Sequence, residues 1–254
     1  MIRVPRHEAH KPDGYDERAA RWVAELRAAL AADPTLTPSE FWGKKRKQFA
    51  EDARAMRVMF HDKCAFCESD LAHSQHPQVE HYRPKSDPRF VDLIFTWENL
   101  LLSCAVCNTH KGTKFPMEGG APALLHPCED EPAEHLRFDG GNIAPLSERG
   151  RKTIELVGLD RDELCRARAL HLLSLKVALL AYLRRQEPQL LSWLAWSVHL
   201  SALWAGCARS LILDVVPWQH LEAHRRSSSY QDPTSTEAQA ALWALLREDS
   251  AAFW

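Results

Sequence analysis

Cys64-Ala65-Phe66-Cys67, then Glu80-His81-Tyr82-Arg83-Pro84-Lys85, then Trp97-Glu98-Asn99-Leu100, then Ser103-Cys104-Ala105-Val106-Cys107-Asn108-Thr109-His110-Lys111-Gly112: these four runs decide the fold. Two Cys-x-x-Cys pairs are the ligand set of a closed, tetrahedral structural zinc site, with Cys64, Cys67, Cys104 and Cys107 as thiolate ligands. The competing reading is four reduced cysteines packed in a core. The 36 residues between Cys67 and Cys104 exceed the usual ribbon spacing, so the insert must fold as a unit of its own. Inside the bracket stand a histidine suited to general-base work, a carboxylate suited to a hard cation, and the amide of Asn99, with a second amide, Asn108, directly after it. That is the equipment of metal-assisted phosphodiester hydrolysis.

Val79-Glu80-His81-Tyr82 has strand character, with Glu80 and His81 on opposite faces if fully extended. A bulge or turn would let both serve one site, and Pro84 favours an end to the strand. Phe95 to Leu101 reads as the return toward the second cysteine pair. Ala105 to Lys111 makes a short helix ended by Gly112. On it Asn108 and Lys111 share a face, while His110 points elsewhere, so Asn108 is the better-placed metal ligand.

Working outward, Asp16 to Ala32 reads as a helix with Trp22, Leu26 and Leu30 on one stripe. Thr37-Pro38-Ser39-Glu40 is a capping box that opens a second helix to about His61. This helix carries Lys44, Lys45, Arg46, Lys47, Arg54 and Arg57, either a solvated face or a contact for a phosphate backbone. Residues 116–145 are rich in Pro and Gly and read as an extended crossing. From Leu146 the pattern is helical. Asp160-x-x-Glu163 is read as a capping box for a helix to about Arg185, and another helix runs from about Gln189 to Arg209. Thr234-x-x-Glu237 caps a last helix with Leu242, Leu245 and Leu246 as its apolar side. The divisions expected are 1–62, a helical segment; 63–145, the zinc-stapled centre; and 146–254, a helical region expected to dock a partner.

Leu190 to Ala208 lacks formal charge, about the length of a spanning helix, but Ser192, Ser197, His199, Ser201 and Gly206 dilute it. Trp193, Trp196, Leu200 and Trp204 fall on one side; Leu191, Leu194, Val198 and Ala202 fall near the other. A helix apolar all round is buried on all sides, as a core element or beneath a partner. The formal net charge is −2, whereas a protein that holds nucleic acid alone is usually strongly basic, so a second component is expected to help hold a substrate. The 7 cysteines, with three outside the pairs and no apolar leader at the start, favour a reducing cytoplasm.

Residues 60–170, and the quoted runs above all, resemble the HNH (ββα-metal) endonucleases, and among these the PtuB family, the nuclease subunit of Septu anti-phage systems. Phe115-Pro116, His126-Pro127, Glu131-x-x-x-His135-Leu136 and Thr153-Ile154-x-Leu156 extend the likeness. The resemblance implies an α-rich α+β fold with a zinc-stapled ββα-metal nuclease centre, N-terminal helices and a helical C-terminal half. It implies that His81 is the general base, that Glu80 binds the catalytic divalent metal, and that Asn99 orients the loop carrying the histidine. Asn108 stands where a metal-binding histidine is more usual. One carboxylate and one amide make a weak hard-oxygen site, so millimolar Mg²⁺ or micromolar Mn²⁺ is expected. Arg83 or Lys111 is placed to touch a neighbouring phosphate.

The function expected is hydrolysis of DNA in anti-phage defence, beside an ABC-type ATPase subunit and without a membrane. Three rivals stand. The same site can cut RNA, tRNA for instance. A zinc-stapled adaptor can bind nucleic acid or protein without cutting. The chain can be a nuclease subunit inactive until assembled, which its near-neutral charge and Trp-rich helical half favour.

Overall fold

The computed structural model describes residues 1–7, 10–45, 47–72 and 77–250, without the side chains of residues 243 and 246–250. Arg46 of the basic run and the Leu246 side chain therefore lie outside the described residues. The chain forms two compact units, Met1–His135 with Pro145–Leu159, and Leu136–Ala144 with Asp160–Trp254. These boundaries differ from the three divisions read off the sequence, because the N-terminal helices share a core with the cysteine-bracketed segment.

In the first unit, α1 (Tyr15–Ala32) buries Tyr15, Ala19, Trp22 and Leu26, one helical stripe. The capping box before α2 (Pro38–Lys45) forms in both directions. The Thr37 amide donates to Glu40 at 2.8 Å and the Glu40 amide to the Thr37 hydroxyl at 3.2 Å. The expected single helix to His61 is two, α2 and α3 (Ala50–Met59), separated by a turn that contains Phe49. The break turns Phe49 inward, where it packs on Tyr15 and on Trp42. Trp22, Phe41 and Trp42 all meet Phe95, so an aromatic wall joins these helices to the insert. Each such ring buries a large apolar area, more than a solvated helix face would yield.

The insert is a ββα unit. β1 (Gln78–His81) pairs antiparallel with β2 (Leu100–Ser103), Glu80 opposite Leu101 and His81 opposite Leu100. The helix α4 (Ala105–Lys111) follows with the bounds expected, and Gly112 closes it at φ 53. The run 116–145 holds more regular structure than its composition suggests, in β3 (Met117–Glu118) with β4 (Ala121–Pro122), and β5 (Leu136–Asp139) with β6 (Asn142–Pro145). Ser147 caps α5 (Glu148–Val157), its hydroxyl accepting from the Gly150 amide.

The second unit carries α6 (Asp162–Arg185), α7 (Pro188–Ser197), α8 (Ala205–Ile212), α9 (Trp218–Arg225), α10 (Thr236–Ser250) and the β5–β6 hairpin. Gly141 in the hairpin turn approaches α6 so closely that a Cβ there would lie 2.1 Å from the Cys165 carbonyl. Two expected caps are corrected. Arg161, not Asp160, precedes α6 and makes no side-chain cap. At α10 the Ser235 hydroxyl accepts from the Ala238 amide, while Thr234 bonds to Asp232. The continuous Gln189–Arg209 helix is also corrected, because α7 and α8 are separated by a break in which Trp204 takes φ 48. Leu190, Leu194, Val198 and Ala208 form the unit's core, and the tryptophans of the run are half-buried beside it. Leu170, Leu173, Leu180 and Leu183 of α6 are instead exposed. Among the described residues no helix is long and apolar enough to cross a membrane.

Candidate active site

The four bracketing cysteines converge. Their sulfurs all lie within 4.8 Å of one another, and all four residues are buried. Each pair is presented by a tight backbone turn. The Glu68 amide donates to the Cys64 carbonyl at 2.9 Å, and Cys104 is the N-cap of α4, its sulfur accepting from the Cys107 amide at 3.3 Å. Cys67 and Cys104 are 3.8 Å apart at sulfur, far beyond a disulfide. A tetrahedron of four sulfurs, each about 2.3 Å from a central zinc, has edges of roughly 3.8 Å. Size, donor chemistry and burial therefore fit a structural metal. The Ala65 amide donates to the Leu102 carbonyl at 2.8 Å, which ties this site to the strand pair.

β1 ends at His81 and the chain bends over Tyr82 and Arg83. Glu80 and His81, on successive strand positions, thereby meet at the strand's end. No bulge is needed. Both line a cavity of about 210 Å³ with Asn108, Lys85 and Ser39. His81 is 2 % exposed. Its Nε2 lies 3.1 Å from the Ile94 carbonyl, so that nitrogen carries the proton and donates. Nδ1 is then the lone-pair nitrogen, buried and without a hydrogen-bond partner. Trp42 stands edge-on to the imidazole at 4.6 Å. Burial, helped by Lys85, pushes the His81 pKa down to about 3, so the ring is neutral and basic-form at ordinary pH.

Asn99 holds the loop after the histidine at both ends. Its side chain accepts from the Arg83 amide at 2.7 Å and donates to the carbonyls of Arg83, at 3.1 Å, and Leu93, at 3.0 Å. The Tyr82 amide also donates to the Asn99 carbonyl at 2.9 Å. The amide nitrogen of Asn108 donates to Gln78 Oε1, leaving its oxygen as the atom available to a cation. His110 lies against Gly158 at the end of α5 and does not line the cavity.

The phosphate role expected of Lys111 does not fit. Its side chain is wholly buried, and its ammonium donates to Glu80 Oε1 at 2.6 Å and to the His81 carbonyl at 2.8 Å. From a helical position facing inward, a lysine reaches the strand rather than solvent. Burial raises the Glu80 pKa and lowers that of Lys111, while each attracts the other's charged form. Arg83 stacks over Tyr82 and Phe115 and does not line the cavity. The cation that does line it is Lys85. Trp42, Gln78 and Lys85 were not singled out from the sequence. Only Lys85 carried a signal, its place two residues after Arg83 in the quoted run.

Glu80 and Asn108 offer two hard oxygen donors to one cavity, and with His81 beside them the set fits a weakly held Mg²⁺ or Mn²⁺. Without such an ion, Lys111 supplies the positive charge next to Glu80.

Residues 64–114 match the family model for HNH endonuclease. The chain is 35% identical over 142 residues to Septu protein PtuB of Bacillus mycoides (strain KBAB4), covering 45% of this chain and 48% of that protein. It is 30% identical over 135 residues to Septu protein PtuB of Bacillus thuringiensis, covering 53% of this chain and 49% of that protein. It is also 24% identical over 187 residues to Septu protein PtuA of Bacillus mycoides (strain KBAB4), covering 63% of this chain but 26% of that protein. The chain spans about half the length of the PtuB relatives it matches. The chain carries an HNH endonuclease domain at residues 64–114, and around it is similar to the Septu PtuB proteins.

Proposed function

We propose that this chain is a metal-dependent endonuclease that hydrolyses DNA phosphodiester bonds, as the effector of a Septu-type anti-phage complex with an ATPase subunit. The observation that carries the reading is a neutral, buried His81 with a partnerless Nδ1, sharing one cavity with Glu80 and Asn108. In this reading His81 Nδ1 takes the proton of the attacking water, and the Nε2–H bond to Ile94 keeps the ring in the tautomer that can do so. Asn99 fixes the loop that aims the ring. Glu80 and the Asn108 oxygen hold Mg²⁺ or Mn²⁺, which supplies charge stabilisation to the phosphate and its leaving oxygen. Lys85 steadies the phosphate from the cavity wall. Cys64, Cys67, Cys104 and Cys107 hold a zinc that staples the strand pair to α4 and takes no part in catalysis.

The partner rests on different support. Likeness to a stretch of PtuA is shared sequence rather than contact. The near-neutral charge, and four exposed leucines on α6, are what a chain that works in a complex would show. A docking face on the Leu190–Ala208 run is not retained, because that run fills the core of its own unit.

The test is cleavage of supercoiled DNA, and separately of tRNA, with Mn²⁺, by the chain alone and co-expressed with a neighbouring ATPase gene. His81→Ala should lower the rate about 10²–10⁴-fold with the bound zinc unchanged. A His81→Ala protein as active as wild type sinks the reading. Cleavage of tRNA but not DNA moves the substrate to RNA on the same residues.

A further inference from the structure

A second concavity opens beside the cavity just described, and Asn108 lines both. This groove, of about 530 Å³, is bounded by α2, α3 and β1, and its wall includes Trp42, Gly43, Arg54, Arg57 and Gln78. Its size is that of ordinary ligand sites. Two arginines line it and no carboxylate does. The acid of α3 nearest in sequence to Arg54, Asp52, is turned inward, where it pairs with Arg18 at 2.6 Å. Arg57 gives its Nε–H to Asp62, which leaves the two terminal nitrogens of its fork to donate elsewhere. Arg54 is exposed and pairs with no carboxylate among the described residues.

A groove of similar size, about 550 Å³, lies along α1 and shows the contrast. There Arg27 is matched by Asp92 and Asp16 joins the wall. That concavity is electrostatically closed, while the one beside Asn108 has an aromatic ring, one arginine without a carboxylate, Arg54, and a second, Arg57, matched by Asp62 through Nε alone. Trp42 is half-buried in the groove wall, and its ring lies 4.6 Å from that of His81 in a T-shaped pair. An indole with two guanidinium groups is the chemistry that holds a base and its flanking phosphates.

We propose that this groove seats a nucleotide of the DNA strand adjoining the phosphate to be cut, with Trp42 as the stacking surface and Arg54 and Arg57 as phosphate contacts. The proposal rests on the nuclease reading of the adjoining cavity and adds where the strand runs from it. Gly43 gives a direct handle. It lies within α2, and a Cβ built on it meets nothing within 4 Å. A larger residue there projects into open groove, and replacing a helical glycine favours the helix.

The experiment measures binding of a short fluorescent single-stranded DNA to the full chain, without divalent cation, across a salt series. Arg54→Ala should weaken binding and reduce the slope of log affinity against log salt by about 0.7, one lost phosphate contact on a single strand. Gly43→Leu should bind roughly ten-fold or more weakly, the size of one lost stacked base, with an unfolding temperature no lower than wild type. Should Gly43→Leu not fold, the Arg54→Ala slope decides alone. Wild-type protein that ignores the oligonucleotide overturns the proposal, and so do variants that bind within about two-fold of it with the same slope. Tighter binding of an RNA oligonucleotide of the same sequence overturns the assignment to DNA. Cleavage is scored separately with Mn²⁺. Groove variants that lose binding on a protein that never cuts, alone or co-expressed with the neighbouring ATPase, would leave the groove standing and remove the nuclease reading. Full-rate cutting by both variants would do the reverse.

Discussion

Replacing Lys111 with methionine should unfold the first unit at a much lower temperature. The Lys111 ammonium and Glu80 carboxylate are 2.6 Å apart, with side chains 0% and 6% exposed. Methionine keeps most of the length and none of the charge. Glu80 would then hold a buried carboxylate with no bonded counter-ion, only the charge of Lys85 across the cavity, and the His81 carbonyl would lose its donor. Breaking one side of a buried pair costs about 3–5 kcal/mol. In a unit of about 150 residues, each kcal/mol lowers the midpoint by roughly 2–4 °C, so a drop on the order of 10 °C is expected. Thermal unfolding followed by circular dichroism, with no divalent cation, reads it. Lys111→Met with Glu80→Met should recover most of the loss, since an apolar pair of similar volume replaces a buried ion pair at little net cost. Adding Mn²⁺ should raise the midpoint of Lys111→Met more than that of wild type, because the ion supplies the missing charge. A Lys111→Met protein within a few degrees of wild type, or a double variant as unstable as the single one, would refute the reasoning.

Metal analysis should find about one zinc per chain that survives mild EDTA, and Cys107→Ser should give insoluble protein; soluble, folded, zinc-free protein would contradict this. Asn108→Ala should cut severely less DNA, with partial recovery at higher Mn²⁺, while His110→Ala stays near wild type; the opposite ranking would mean the wrong residue was chosen on α4. His126 is buried and held to a pKa of about 4, against 6.5 when free. Its unfolded imidazole takes a proton below 6.5 that the folded one refuses, so its stability contribution is whole above 6.5 and lost toward 4. Denaturant unfolding at several pH values should show a slope of about 1.4 kcal/mol per pH unit from this group, which His126→Gln should remove. Leu173→Glu with Leu180→Glu should abolish co-purification with the neighbouring ATPase and leave the zinc in place; an intact complex would count against α6 as the contact.

The ββα centre was legible because its chemistry sits at short spacings. Cys-x-x-Cys forces a tight turn, Gly112 ends a helix, and Asn108 and His110 separate on helix geometry alone. The inward turn of Lys111 was not legible, since its partner Glu80 is 31 positions away and only the folded strand brings them together. The break between α7 and α8 was equally hidden. His199 Nδ1 there meets the Ser201 hydroxyl at 2.8 Å, a local bond that competes with helix. Trp204, a residue that rarely takes positive φ, does so half-buried against the unit's core. Helix propensity and periodicity see neither. The split of α2 from α3 has the same origin, the burial of Phe49 against rings contributed by other elements.

The two units are threaded through each other along the chain. The hairpin of the second, Leu136–Ala144, is synthesised before Pro145–Leu159 completes the first. Neither unit can therefore finish as an uninterrupted stretch during translation, and the hairpin must wait for α6 before Gly141 finds its place against Cys165. A chain stopped at residue 159 would carry a hairpin without its helix, and one begun at residue 160 a helix without its hairpin. The separable piece for protein engineering is thus a spliced one, with 136–144 replaced by a short turn joining His135 to Pro145. Grafting the cysteine-stapled centre elsewhere depends on closing that gap rather than on trimming either end.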